Sequence, residues 1–282
     1  MRLCCIVPRP PASREGSYDS TMIVDIHTHL FPPHFIEDRA RLCASDAMFG
    51  EMYGSPRAQM ATAEDLIASM DRAGVDVSVA AGFWWRDRAR RGEHAAYLLA
   101  SALRYPGRIV PFVPQTEGDA LPGAAGVGEL RVEDPARVEA GALPILAHCS
   151  EEVGHGYPGK EGGLTPGALW SLLERQPEAR VIAAHWGGGF PFYALMPEVR
   201  AVITAGRLVF DTAASSLLYA PDAIRRGIDL AGLDAVCWGS DVPLRDQATD
   251  RALIEAALPP GVERAAVLGG NAARFLDLAA RE

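Results

Sequence analysis

The chain has 282 residues, 49% of them apolar, and a formal net charge of −9. That much apolar chain can bury one large core or two modest ones, and an acidic balance without clustered Lys and Arg argues against a nucleic-acid face or a lipid-binding surface. Five cysteines (Cys4, Cys5, Cys43, Cys149, Cys237) lack the paired spacing of a zinc knuckle or a disulfide framework, which points to a reducing cytoplasm, and no stretch approaches a membrane span.

Residues 1–21 differ from the rest. They carry Pro8, Pro10, Pro11 and Gly16, and their apolar run Leu3-Cys4-Cys5-Ile6-Val7 is too short for a secretory signal. They are expected not to fold, either as a disordered tail or as a leader ahead of a true start at Met22. Residues 22–282 show no linker and are expected to form a single domain.

The first strand-like run, Met22-Ile23-Val24, leads into Asp25-Ile26-His27-Thr28-His29. Side chains two apart on a strand share a face, so His27 and His29 project together as a pair of imidazoles. Alone, the pair reads first as polar residues at a strand end. Further apolar runs end near Ala81, Val113, Leu130, His148, His185, Asp211 and Trp238, making eight strands with the first. Between them, Ala63 to Ala73, Glu93 to Tyr105, Pro166 to Arg175, Pro221 to Ala231 and Thr249 to Ala257 repeat apolar residues at helical spacing. Eight strands alternating with helices predict a (β/α)8 TIM barrel. An open doubly wound sheet is the runner-up, and no Gly-rich phosphate fingerprint follows the first strand to support it. Gln115 to Gly126 and Glu133 to Ala142 are short and rich in Gly, Ala and Pro, so the helices after strands three and four should be shortened or absent.

In such a barrel the active site lies at the C-terminal strand ends. There the sequence places Glu129 on strand four, His148 on five, His185 on six and Asp241 on eight. Each alone could be a packing or capping residue. With His27 and His29 they make four imidazoles and two carboxylates at one end of the barrel, the N and O donors that zinc, and also iron or manganese, prefer.

These pieces resemble the amidohydrolase superfamily of metal-dependent barrels: Asp25-Ile26-His27-Thr28-His29-Leu30-Phe31-Pro32, His148, His185-Trp186-Gly187-Gly188-Gly189, Phe210-Asp211-Thr212, Gly239-Ser240-Asp241-Val242-Pro243 and Gly270-Asn271-Ala272. The His185 and Asp241 segments most resemble the branch that contains aminocarboxymuconate-semialdehyde decarboxylase. The resemblance implies a divalent metal, zinc first, held by His27, His29, His148 and Asp241, with His185 as an acid/base or a further ligand; it also implies a homodimer. Many binuclear members use a carboxylated lysine on strand four, which is excluded here because the only lysine, Lys160, follows strand five. The Gly128-Glu129 pair is similar to the metal-dependent deoxyribonuclease branch, where a glutamate bridges two metals, so one or two metals per chain are expected. Glu129 is either that bridge or a partner of Arg131 or of a ligand histidine.

A divalent cation lowers the pKa of bound water from near 16 toward roughly 7, and Asp241 can both bind the metal and shuttle the proton. The expected activity is therefore hydrolysis of a small-molecule amide, lactone or ester. The alternative is non-oxidative decarboxylation of a carboxylated aromatic or dienoic acid, with His185 moving a proton; a barrel that binds metal without turnover is the third reading. Around the site, Trp84 and Trp85 are expected to form an apolar wall, Arg131 to receive a substrate carboxylate, and His155 and Tyr157 to contact substrate. Cys149 alternates away from His148 and should be a packed thiol.

Overall fold

The computed structural model describes residues 22–114, 122–132, 134, 135, 138 and 141–278. The expectation for residues 1–21 lies outside them. Eight parallel strands follow one another around the sheet in sequence order: β1 (Val24–His29), β2 (Val77–Ala81), β3 (Ile109–Val113), β4 (Gly126–Leu130), β5 (Ile145–Ala147), β6 (Val181–Ala183), β7 (Leu208–Asp211) and β8 (Val236–Cys237). The seam between β8 and β1 is joined by the Ile26 N–H donating to the Trp238 carbonyl at 3.0 Å, the Asp241 N–H donating to the His27 carbonyl at 2.8 Å, and a parallel bridge between Thr28 and Val242. The predicted (β/α)8 barrel is the fold.

The elements follow from local chemistry. The helix Ala63–Ala73 opens on a Thr62–Asp65 capping box and closes on Gly74 in the left-handed region. Helices Arg88–Arg104, Pro166–Arg175, Ala223–Ala231 and Gln247–Ala257 lie within a few residues of the predicted segments. Among the described residues no α-helix stands between β3 and β4 or between β4 and β5, although parts of both connections lie outside them. Among the described residues no helix is long and apolar enough to cross a membrane.

Two apolar layers result. Val24, Ile26, Val79, Phe112, Leu146, Ile182 and Val209 fill the barrel interior, while Leu66, Leu98, Ala147, Leu169, Leu208 and Trp238 pack the strands against the helices. A third cluster was not foreseen. Between β1 and the helix Ala63–Ala73 the chain inserts three short helices, Pro33–Glu37, Arg39–Ser45 and Ala47–Tyr53. Their buried Phe35, Leu42 and Phe49, spaced by seven residues, pack on Phe31, Tyr53, Phe83 and Trp85.

Candidate metal centre

β1 carries the first donors, and it is not a plain strand. Asp25 pairs with Ser78 but Thr28 with Ala80, so β1 holds one more residue than β2 over this stretch. A bulge of this kind lets neighbouring side chains face the same side. Val24 and Ile26 therefore fill the barrel interior, yet His27 and His29 also point inward above them, with their Nε2 atoms 3.1 Å apart. On the outer side, Asp25 ties the seam: it accepts from the Ser240 N–H at 2.9 Å, the Ser240 hydroxyl at 2.5 Å, Gln247 Nε2 at 2.7 Å and the His27 N–H at 3.2 Å. Gly239 permits the close approach of the two strands, since a Cβ there would lie 2.9 Å from that of His27.

Two of the other donors arrive on strained backbone. His185, just past β6, has φ 56°, and Trp186 to Gly189 continue in the left-handed region; Asp241, past β8, has φ 67°. Non-glycine residues hold such angles only when their surroundings fix them. Here the His185 N–H donates to Asp211 Oδ1 at 2.8 Å and Trp186 Nε1 donates to Ser215 Oγ at 2.8 Å.

The donors gather in two groups that share His27. His27, His29 and Asp241 lie with their donor atoms within 4.8 Å of one another, as do His27, Glu129 and His185. His29 Nε2 is 3.3 Å and His27 Nε2 3.7 Å from Asp241 Oδ1. Glu129 lies between the groups: its Oε1 is 3.6 Å from His27 Nε2, 3.0 Å from His148 Nδ1 and 3.7 Å from His185 Nε2, and its Oε2 is 3.7 Å from His29 Nε2. Donors bonded tetrahedrally to a cation at about 2.1 Å stand roughly 3.4 Å apart, which is the range seen here.

The far side of each ring fixes its tautomer. Asp211 Oδ2 is 2.8 Å from His27 Nδ1, the Ala213 carbonyl 3.2 Å from His185 Nδ1 and the Gly159 carbonyl 2.9 Å from His148 Nε2, so each of these nitrogens donates and the opposite one faces the site, with a lone pair for a cation once the ring is neutral. Burial and the Arg131 charge lower the His148 pKa to about 4, leaving this imidazole neutral at pH 7. It then has one proton for two acceptors, the Gly159 carbonyl and Glu129 Oε1, and a cation between Nδ1 and Oε1 would satisfy both. The donor set fits a divalent metal.

Charge tuning agrees. Burial alone would raise the Asp241 carboxyl, but His27 and His29 bring it down to about 2; burial is likewise outweighed at Glu129, which Arg131 and His148 hold well below the usual range. Burial would lower His27, yet Asp211, Asp241 and Glu129 raise it to about 10, and His185 is raised in the same way by Glu129, Asp241 and Asp211.

Above the donors lies a cavity of about 360 Å³, lined by His29, His148, His185 and Asp241 below and by His155 and Tyr157 at the side. His27 and Glu129 sit beneath this floor, fully buried. Arg131 also lines it, but its Nε and Nη2 donate to Glu129 Oε2 at 3.2 and 3.1 Å and its Nη1 to the Gly159 carbonyl at 2.9 Å. Trp84 and Trp85 do not form the expected wall. The β1 insert covers Trp85, which is buried against Phe49 at 4.6 Å and donates to His94 Nδ1, while Trp84 packs in the layer between strands and helices, under Arg91 of the helix Arg88–Arg104. The insert instead supplies Met52, Tyr53, Arg57 and Gln59 to the cavity, and Leu217, Leu218 and Leu244 complete it. Cys149 is buried, with its thiol pushed up by burial, as a packed residue should be.

A parallel eight-stranded barrel with imidazole and carboxylate donors at the C-terminal strand ends defines the class of metal-centred (β/α)8 enzymes. Residues 135–278 match the family model described as Amidohydrolase, and the chain belongs to that family. No curated protein matched. Solved structures that share the barrel include the 5-carboxyvanillate decarboxylase of Novosphingobium aromaticivorans, complexed with manganese and 4-hydroxy-3-methoxy-5-nitrobenzoic acid (TM-score 0.67, 15% identity, 93% of this chain and 97% of that chain). Others are the 2,6-dihydroxybenzoate decarboxylase from Rhizobium (0.63, 14%, 91% and 99%) and the 4-oxalomesaconate hydratase of Rhodopseudomonas palustris (0.58, 17%, 91% and 96%). At these identities the likeness is one of fold.

Proposed function

We propose that the chain is a metal-dependent, non-oxidative decarboxylase of a carboxylated aromatic or dienoic acid. The observation that carries this reading is a cavity of about 360 Å³ with leucine, methionine and proline walls and the donor group as its floor, room for a single ring or short diene above a cation. The barrel shared with two ring-acid decarboxylases supports it over the hydrolysis expected from sequence. His27, His29 and Asp241 would hold a divalent cation, which when bound supplies positive charge for the substrate's carboxylate. Imidazole and carboxylate donors suit zinc, iron and manganese alike, and manganese accompanies the Novosphingobium enzyme.

The chain's own residues then have separate tasks. Asp241 stays ionised and binds, and the apolar walls exclude water from the carbon that loses carbon dioxide. As that bond breaks, its electron pair remains on the carbon, which takes a proton. His185 is the donor: its Nδ1 donates to the Ala213 carbonyl, the residue lines the cavity, and Glu129, Asp241 and Asp211 raise its pKa against its burial, which favours the imidazolium form that gives up a proton.

Hydrolysis of an amide, lactone or ester is the second reading, favoured by the place of Glu129 between the two donor groups, where a carboxylate can bridge two cations. The two are separated by assaying manganese- and zinc-loaded protein on carboxylated phenols and dienoic acids for carbon dioxide, with metal equivalents counted before and after Glu129→Gln. Carbon dioxide release with one equivalent that survives the substitution supports decarboxylation; two equivalents reduced to one, with turnover of esters or lactones only, would overturn it.

A further inference from the structure

The β1 insert brings to the cavity one buried polar group that the site does not use. Tyr53 ends the helix Ala47–Tyr53 and is 8% exposed. Its ring is locked, stacked on Phe49 at 4.7 Å and edge-on to Phe31 at 5.1 Å, and it lines the cavity beside Arg131 and Asp241. The neighbouring phenols are committed: the Tyr157 hydroxyl donates to Glu151 at 2.9 Å, and the Tyr219 hydroxyl donates to the same carboxylate. Arg131 is committed too, with Glu129 on one side and the Gly159 carbonyl on the other. Among the described residues the Tyr53 hydroxyl has no hydrogen-bond partner, although its backbone carbonyl accepts from Arg39.

We propose that Tyr53 is a specificity-determining residue whose hydroxyl donates a hydrogen bond to an oxygen of the bound substrate. This rests on the reading of the cavity as the site of a carboxylated acid. The hydroxyl opens on the cavity, where only solvent or a bound molecule can meet it, and the aromatic stack gives it a fixed direction at no further loss of freedom. The group is therefore poised for an acceptor that enters from outside. A site built around such a donor discriminates strongly against a ligand that lacks the matching oxygen.

The test is calorimetric titration of the manganese-loaded full chain with 2-hydroxybenzoate and with benzoate, for the unchanged protein and for Tyr53→Phe. The substitution keeps the stacked ring, so unchanged metal content and thermal midpoint are the check that the site is intact. Affinity for 2-hydroxybenzoate should fall about tenfold, the effect of one hydrogen bond. Loss with that acid alone assigns the contact to the ring oxygen, and loss with both assigns it to the carboxylate; either result upholds the proposal. Unchanged affinity for both acids in Tyr53→Phe overturns it while leaving the decarboxylase reading in place. Failure of the unchanged protein to bind either acid overturns both.

Discussion

Asp211 shows how much of this site depends on groups that face away from it. One oxygen accepts a hydrogen bond from His27 Nδ1, and the other accepts from the backbone N–H groups of His185 and Ala213, so a single buried carboxylate orients donors from β1 and β6. Loss of such a partner typically weakens metal binding about 10- to 100-fold, whereas loss of a ligand removes it. Asp211→Asn should therefore hold its metal more weakly by that factor, and His27→Ala or Asp241→Ala should hold none after dialysis, all three with the far-ultraviolet circular dichroism of the unchanged barrel. Full metal content in either alanine variant would refute the ligand assignment. His27, His29, Glu129, His148, His185 and Asp241 were legible because each stands at or just beyond a strand end, where a linear sequence already fixes the side of the barrel. Asp211 occupies an equivalent strand end, but its task is set by contacts with β1 and β6 that spacing does not report. Tyr53 reaches the cavity only through the path of the β1 insert.

At the level of elements, the sequence was informative where periodicity was long and uninformative where the chain bends. Helices such as Ala63–Ala73 matched because cap and apolar stripe agree. The β1 bulge and the left-handed turn through His185 depend on tertiary hydrogen bonds, and the expectation for Trp85 failed because the insert that covers its ring has helices of only five to seven residues, too short to read from periodicity, while Trp84 turns into the layer between strands and helices. The helix Gln247–Ala257 carries a further hidden feature on the face that backs the β1–β8 seam. Asp250 accepts from Trp238 Nε1 at 3.0 Å with one oxygen, and the other is buried without a partner among the described residues. Burial raises its pKa from 3.8 to about 7, so the native state binds this proton more tightly than the unfolded chain does. The sign follows: Asp250 costs nothing at low pH and destabilises progressively as pH rises from about 4 through 7. Asp250→Asn, which keeps an acceptor for Trp238, should be more stable than the unchanged protein at pH 8 and gain less at pH 5. Urea unfolding across that range is the measurement, and parallel pH profiles would show that Asp250 is ionised throughout.

For the whole molecule, fold, charge and metal are linked through His27. Without a cation this fully buried imidazole is raised to about 10, chiefly against its burial by Asp211, Asp241 and Glu129, so the metal-free barrel carries a proton there at neutral pH. A raised histidine stabilises the fold fully below about pH 6.5, and that contribution is lost as pH climbs toward 10. A cation must displace the same proton, because only the neutral ring can bind it, and a ligand at free concentration L that binds only the folded chain raises its stability by RT ln(1 + L/Kd). These two dependences act in the same direction. From pH 6 to pH 8.5 His27 stays protonated in the metal-free barrel, but its stabilisation fades as the imidazole of the unfolded chain loses its proton, and the affinity for a cation grows as the proton becomes easier to displace, so the rise in thermal midpoint on adding manganese or zinc should be larger at pH 8.5 than at pH 6. Calorimetric titration at pH 7.5 in buffers of different ionisation enthalpy should also register about one proton released per cation bound. A midpoint shift that shrinks as pH rises, or metal binding with no proton release, would mean that His27 is already neutral in the metal-free barrel and that the ion pair with Asp211 does not govern loading.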